Sequence, residues 1–256
     1  AMTDWAWRIP FLSSFVLVVI GLYVRLKLTE APIFIAALNQ LKPKTLPVME
    51  VIVTHFKPFF LGILICIAGY VLFYIMIAFS QIYAKSAPTV SEAGYAMGLG
   101  FSPQIFTALL MFSAVSLAIT ITISGKYIDK VGRRIWLIWT TVGVALFGLV
   151  LPYFLENGTT VSLFWFLIIG MGLIGMGYGP LASFLPELFP THARYSGASL
   201  TYNIAGLFGA SVAAIIALPL NANYGLKGVG IYLTVNAVLS LIGLWFITET
   251  RDRQLL

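Results

Sequence analysis

GKYIDKVGRR, residues 125–134, gathers Lys126, Lys130, Arg133 and Arg134 into ten positions and threads Gly125, Asp129 and Gly132 between them. It is flanked by two apolar runs, residues 103–124 and 135–154, that contain no Asp, Glu, Lys or Arg. Runs of about 18–25 apolar residues cross a hydrocarbon core of ~30 Å as helices. A short loop dense in Lys and Arg between two such runs is what a membrane protein keeps on the cytoplasmic side of the bilayer. The stretch therefore predicts an all-α integral membrane protein, with two spans joined by an inside loop.

Composition agrees. Of 256 residues, 60% are apolar and 9% charged, with a mean hydropathy of +0.96. Soluble domains carry about 25% charged residues, so length alone, which would allow one or two soluble domains, does not decide the class. The net charge of +6 is spent on topology rather than on nucleic acid. The lone Cys66 has no partner for an internal disulfide and is expected to pack.

The pattern of loop 125–134 repeats along the chain. Seven spans are predicted, near 9–26, 58–82, 103–124, 135–154, 161–184, 197–219 and 229–248. None alternates with period two, which excludes barrel strands. An outside N-terminus puts Arg25, Lys27, Lys42, Lys44, Lys57, Lys126, Lys130, Arg133, Arg134, Arg194, Arg251 and Arg253 inside. Arg8, Lys85 and Lys227 are left outside. Twelve against three accounts for all 15 Lys and Arg, a bias of the kind that sets orientation. The expected topology is N-terminus outside and C-terminus cytoplasmic. AMTDWAWRIPF has no basic stretch ahead of its apolar run, so it is not read as a signal peptide. With an outside start, this predicts that earlier spans are missing. Within the long polar stretch 28–57, EAPIFIAALNQLK (30–42) spaces its apolar residues like a helix lying on the membrane surface.

All Asp, Glu, Lys and Arg residues fall in loops or at span ends. Ionisable groups inside a bilayer mark proton relays and ion pathways, so no proton-coupling site of the chain's own is expected. Uncharged polar residues do lie in the spans: Tyr70, Tyr74 and Gln81 in the second, Gln104 in the third, Tyr178 in the fifth, Tyr202 and Asn203 in the sixth. They either line a hydrated cavity or bond across helix interfaces, typically for about 0.6 kcal/mol each. GMGLIGMGYGP (170–180) spaces Gly175 and Gly179 for close helix approach, and Pro180 loosens the helix behind them. The tryptophans cluster near span ends, as an aromatic belt does. In PELFPTHARYSG (186–197), Pro186 and Pro190 end the incoming helix and Ser196 is the expected N-cap of the next. Glu187 and Arg194 are placed to pair across this turn, or with charges of another loop. His192 has no second His or carboxylate cluster in view in the sequence, so no metal site is expected, and no cofactor. No nucleophile motif or phosphate loop appears, and the chain is not read as an enzyme.

These motifs together resemble a known family. GKYIDKVGRR is similar to the GxxxD(K/R)xGRR loop of the major facilitator superfamily, and PELFPTHARYSG to its cytoplasmic turn between helices ten and eleven. WAWRIPF (5–11) with LYVRLKLTEAPIF (22–34) resembles the sixth helix and its exit in the metabolite:proton symporter branch. TETRDR (248–253) is similar to the end of the twelfth, with Thr248 where proline is common. The resemblance covers the chain as helices six to twelve. It implies residues 1–27 as the last helix of an N-terminal bundle, 28–57 as a central cytoplasmic loop, and 58–256 as a six-helix C-terminal bundle.

It further implies proton-coupled transport of a small organic solute, a carboxylate or zwitterion, by alternating access in a bacterial inner membrane. The missing N-terminal bundle or a partner chain would supply the other half. Family helices seven, eight, ten and eleven face the cavity, and these carry Tyr70, Tyr74, Gln81, Gln104, Tyr178, Tyr202 and Asn203. The loop Gly125, Asp129, Lys130, Gly132, Arg133, Arg134 would help latch the bundles outward-facing. The alternatives are a non-transporting remnant, a half-size transporter that dimerises, and a seven-helix receptor. A retinal protein would need a lysine inside a span, and there is none.

Overall fold

A computed structural model describes Trp5, residues 8–27 and residues 47–249. The surface helix expected at 30–42 lies outside the described residues. The chain divides into two units, residues 1–42 and 43–256. In the first, α1 runs Arg8–Lys27, with Arg25 and Lys27 in its last turn, where cations complement the helix dipole. Its 20 residues extend about 30 Å at 1.5 Å per residue, enough to cross a hydrocarbon core.

The second unit begins with α2, Pro47–Thr54. After His55 comes α3, Phe56–Tyr74, which passes through a π-helical turn at Ile75–Phe79 into α4, Ser80–Lys85. Next are α5, Pro103–Val131, α6, Arg133–Glu156, and α7, Thr160–Glu187. The unit closes with α8, Arg194–Gly206, a π-helical turn at Leu207–Ser211, and α9, Val212–Phe246. Among the described residues there is no strand, only one isolated bridge between Val90 and Ala96.

Among the described residues of the second unit, five helices are long and apolar enough to cross a membrane, and the last, Arg194–Phe246, is 53 residues long. It holds two of the expected spans. The break is Gly225, whose φ of 66° and ψ of −170° are non-helical, a conformation costly to any residue with a Cβ. The helix starts follow local chemistry. Ser102 caps α5 by accepting the Ile105 N–H at 3.3 Å, and Thr159 caps α7 by accepting that of Ser162 at 3.2 Å, as short oxygen-bearing side chains do. α8 departs from expectation: it begins at Arg194 after Ala193 with no side-chain cap, so Ser196 lies in its first turn. Of the two prolines expected to end α7, Pro186 lies inside the helix, which ends at Glu187 ahead of Pro190.

α3 is the most buried of these spans and α5 the least. Val71, Leu72, Ile75, Met76 and Phe79 form a fully enclosed ridge, and Phe147 stacks on Phe166 at 5.4 Å between α6 and α7. The glycine spacing in α7 is used as read. A Cβ on Gly175 would stand 2.6 Å from the Leu117 carbonyl oxygen of α5, and one on Gly179 would be 3.3 Å from that of Ile121. Only hydrogen in place of a side chain lets α5 and α7 lie this close. Pro180 removes the N–H that would have bonded the Met176 carbonyl. The indole Nε1–H of Trp136 on α6 donates to that oxygen instead, at 2.9 Å. Trp136 is thus a cross-helix donor rather than part of an interfacial belt, whereas Trp139, Trp165 and Trp245 are exposed.

Candidate functional site

Two places in the second unit collect the residues singled out above. The first is a cavity of about 260 Å³ bounded by α3, α5, α6, α7 and α8. Its wall is mostly aliphatic, and its polar edge is formed by Tyr70, Tyr178, Tyr202, Thr140 and Thr141. The Tyr70 and Tyr202 rings lie 5.0 Å apart at 49°, and the Tyr202 hydroxyl donates to that of Tyr178 at 3.3 Å. Three tyrosines from three helices thus meet at one spot, a pattern no helical spacing reveals. Thr140 and Thr141 spend their hydroxyls on the Trp136 and Leu137 carbonyls of their own helix. With their protons so used, the threonines can only accept from a solute, whereas the tyrosine cluster offers hydroxyl groups that both donate and accept. Gly69 also lines the cavity, with open space where a Cβ would stand.

The other four expected cavity residues do not line it. Tyr74 lies one turn further along α3 and donates to the Ala214 carbonyl of α9 at 3.3 Å. Asn203 is exposed and bonds the Ser199 carbonyl of its own helix at 2.8 Å. Gln81 on α4 and Gln104 at the start of α5 are exposed, toward the end of the unit opposite loop 125–134. The sequence missed Thr140, Thr141 and Gly69, since nothing in their spacing distinguishes them from packing residues.

The second place is the loop end. GKYIDKVGRR is not one loop but the last two turns of α5, a break at Gly132, and the start of α6. Gly132 makes the break with φ of 101°, a value that L side chains rarely adopt. Gly125 does not contribute to the turn: it is helical, and a Cβ there would meet nothing within 4 Å. The Arg133 guanidinium contacts the Glu187 carboxylate and lies 3.7 Å from that of Asp129. Glu187 therefore pairs with the other loop rather than across its own turn to Arg194.

The position the sequence undervalued is Glu249. Its two carboxylate oxygens accept the backbone N–H groups of Arg133 and Arg134 at 3.1 and 3.0 Å, placing a negative charge on the N-terminus of α6. Arg134 reciprocates: its Nε donates to the Leu244 carbonyl at 2.8 Å and its Nη2 to that of Trp245 at 3.1 Å. Those are orphan carbonyls at the C-terminus of α9. One helix start and one helix end thus cap each other through a Glu and an Arg. The described contacts of this loop are internal to the second unit.

The major facilitator superfamily model matches residues 1–214. A Haemophilus influenzae protein, provisionally named a metabolite transport protein, is 88% identical over all of this chain and 57% of its own length. The inner membrane metabolite transport protein YhjE of Escherichia coli K12 is 39% identical over 98% of the chain and 56% of its own length. The proline/betaine transporter of Salmonella typhimurium is 28% identical over 98% and 50%. No solved structure matches. The chain thus spans about half the length of these curated relatives.

Proposed function

The chain belongs to the Major Facilitator Superfamily, and on that premise we propose that it is the C-terminal part of a solute:proton symporter working by alternating access. The solute is a small carboxylate or zwitterion, the class to which the proline and betaine named for its relatives belong. The observation that carries the reading is the Tyr70–Tyr202–Tyr178 cluster at the edge of a cavity bounded by five helices. An aliphatic pocket with a few convergent hydroxyls suits a small amphiphilic solute. Binding sites of such transporters lie at the interface of two bundles, and only one bundle's share of the contacts is offered here. The anionic or cationic group of the solute, and the proton, would be handled by residues of the other bundle.

Loop 125–134 belongs to the same reading. Asp129, Arg133 and Glu187 hold the α5–α6 turn against the end of α7, and Glu249 with Arg134 fixes α6 to α9. We place this end in the cytoplasm, with the N-terminus of the chain outside, on the strength of the Lys and Arg distribution. A bundle end braced in this way can move as one body when the bundles rock.

The test is complementation. The chain is co-expressed with the N-terminal portion of the Haemophilus influenzae relative and assayed for uptake of radiolabelled betaine, proline and dicarboxylates. Uptake that collapses with the pH gradient, and whose KM rises in Tyr202→Phe at unchanged membrane abundance, supports the proposal. No uptake of any of them, or a Tyr202→Phe variant with unaltered kinetics, removes it.

A further inference from the structure

Both histidines of the chain meet one carboxylate. His55 stands between α2 and α3, His192 in the turn between α7 and α8, and Glu50 on α2. His192 Nε2 lies 2.6 Å from Glu50 Oε1, and His55 Nε2 lies 3.9 Å from the same oxygen. The three donor atoms fall within 4.8 Å of one another. His192 and Glu50 are 142 positions apart, so helix packing rather than local sequence brings the set together.

One oxygen cannot serve both imidazoles as a close hydrogen-bond partner here. The 2.6 Å contact is a short hydrogen bond, whereas 3.9 Å is beyond hydrogen-bonding range. His55 Nε2 thus lies near an oxygen that it does not reach. Two imidazole nitrogens and a carboxylate oxygen form the donor set of a three-ligand zinc site with one open position. Around a tetrahedral zinc, donors bonded at about 2.0–2.1 Å stand about 3.3 Å apart. The 2.6 Å pair must open and the 3.9 Å pair close by similar small amounts, within reach of side-chain rotation. Imidazole donors disfavour calcium and magnesium, which take oxygen. The side chains keep 23–35% of their surface exposed, so an ion can enter from solvent.

We propose that Glu50, His55 and His192 form a binding site for a divalent transition cation of the zinc class. The site ties the segment entering α3 to the α7–α8 turn. It lies at the end of the unit that holds the Arg133–Glu187 contact, since Glu187 ends the helix leading into the His192 turn. A bound ion would bridge α2 and the α7–α8 turn and stiffen their packing. The inference does not depend on the identity of any transported solute.

The experiment uses the full chain, purified in detergent without a polyhistidine tag, and titrated with Co²⁺ as a visible probe and with Zn²⁺ by calorimetry. One Co²⁺ per chain is expected, with the intense visible absorption of tetrahedral coordination, displaced by stoichiometric Zn²⁺. His55→Gln and His192→Gln should each lower Zn²⁺ affinity by about tenfold or more, and Glu92→Gln, remote in sequence, should not. Melting temperatures without metal check that each variant is folded. If a variant is not, the wild-type stoichiometry and Co²⁺ spectrum decide alone. Absence of stoichiometric binding, an octahedral Co²⁺ spectrum, or affinity unchanged in the two His variants overturns the site.

Discussion

At the scale of single residues, the clearest consequence concerns Glu249. It satisfies two N–H groups that begin α6, and its charge faces the positive end of that helix. Replacing a capping side chain costs about 1 kcal/mol, within about 0.5–2. Glu249→Ala should therefore lower the thermal midpoint of the detergent-purified chain measurably, and Glu249→Gln should lower it less, because one acceptor oxygen remains. Asp129 provides the contrast. Its side chain is 74% exposed and its nearest cation is 3.7 Å away, and such exposed pairs are worth roughly 0–1 kcal/mol. Asp129→Asn should thus leave the melting curve almost unmoved, which makes it a clean probe of the proposed latch. A shift in inside/outside accessibility of the complete transporter would be read without a folding artefact. Sequence alone could nominate Asp129 because the GxxxDKxGRR spacing is recognisable. It could not nominate Glu249, because a carboxylate 115 positions away becomes a cap only when α9 returns beside α6.

At the scale of elements, two glycines that the sequence singled out separate. Gly175 is pressed on the Leu117 carbonyl, whereas Gly125 faces open space within α5. Gly175→Val should force α7 off α5, and overpacking of this kind costs about 1–3 kcal/mol. Gly125→Ala should be neutral or stabilising, since Ala is favoured over Gly in a helix interior by about 0.5–1 kcal/mol. The pair is measured by unfolding in mixed micelles, and equal losses for both would refute the packing account. Span positions were legible because hydrophobic runs and the Lys and Arg between them reflect the bilayer itself. Helix ends were less so: α7 runs through Pro186, and α8 starts without Ser196 as its cap, because neighbouring helices supply what local chemistry lacks. Trp136 is the plainest instance. Its position near a span end suggested an interfacial belt, yet it donates to the Met176 carbonyl that Pro180 leaves without a partner.

At the scale of the whole molecule, the distribution of charge limits what the second unit can do by itself. Among the described residues, the charged side chains of the long helices lie within two turns of a helix end, as Lys85, Lys126, Asp129, Arg133, Glu156 and Glu187 do, or beside the Gly225 break, as Lys227 does. The polar edge of the cavity carries hydroxyls and neither a carboxylate nor an imidazole. A proton cannot be exchanged at the midplane without a group that binds and releases it at working pH. Reconstituted alone in vesicles, the chain should therefore show no uptake driven by a pH gradient, while still contributing the tyrosine edge when an N-terminal bundle is supplied. The cavity can be challenged separately through Gly69. With open space at its Cβ, Gly69→Leu should fold as well as the parent and fill the pocket. It should abolish uptake in the complemented transporter, whereas Tyr74→Phe, whose hydroxyl is spent on Ala214, should reduce it only modestly. Gradient-driven uptake by the chain alone would mean that a proton carrier exists among its own residues. Full uptake in Gly69→Leu would mean that the solute passes elsewhere.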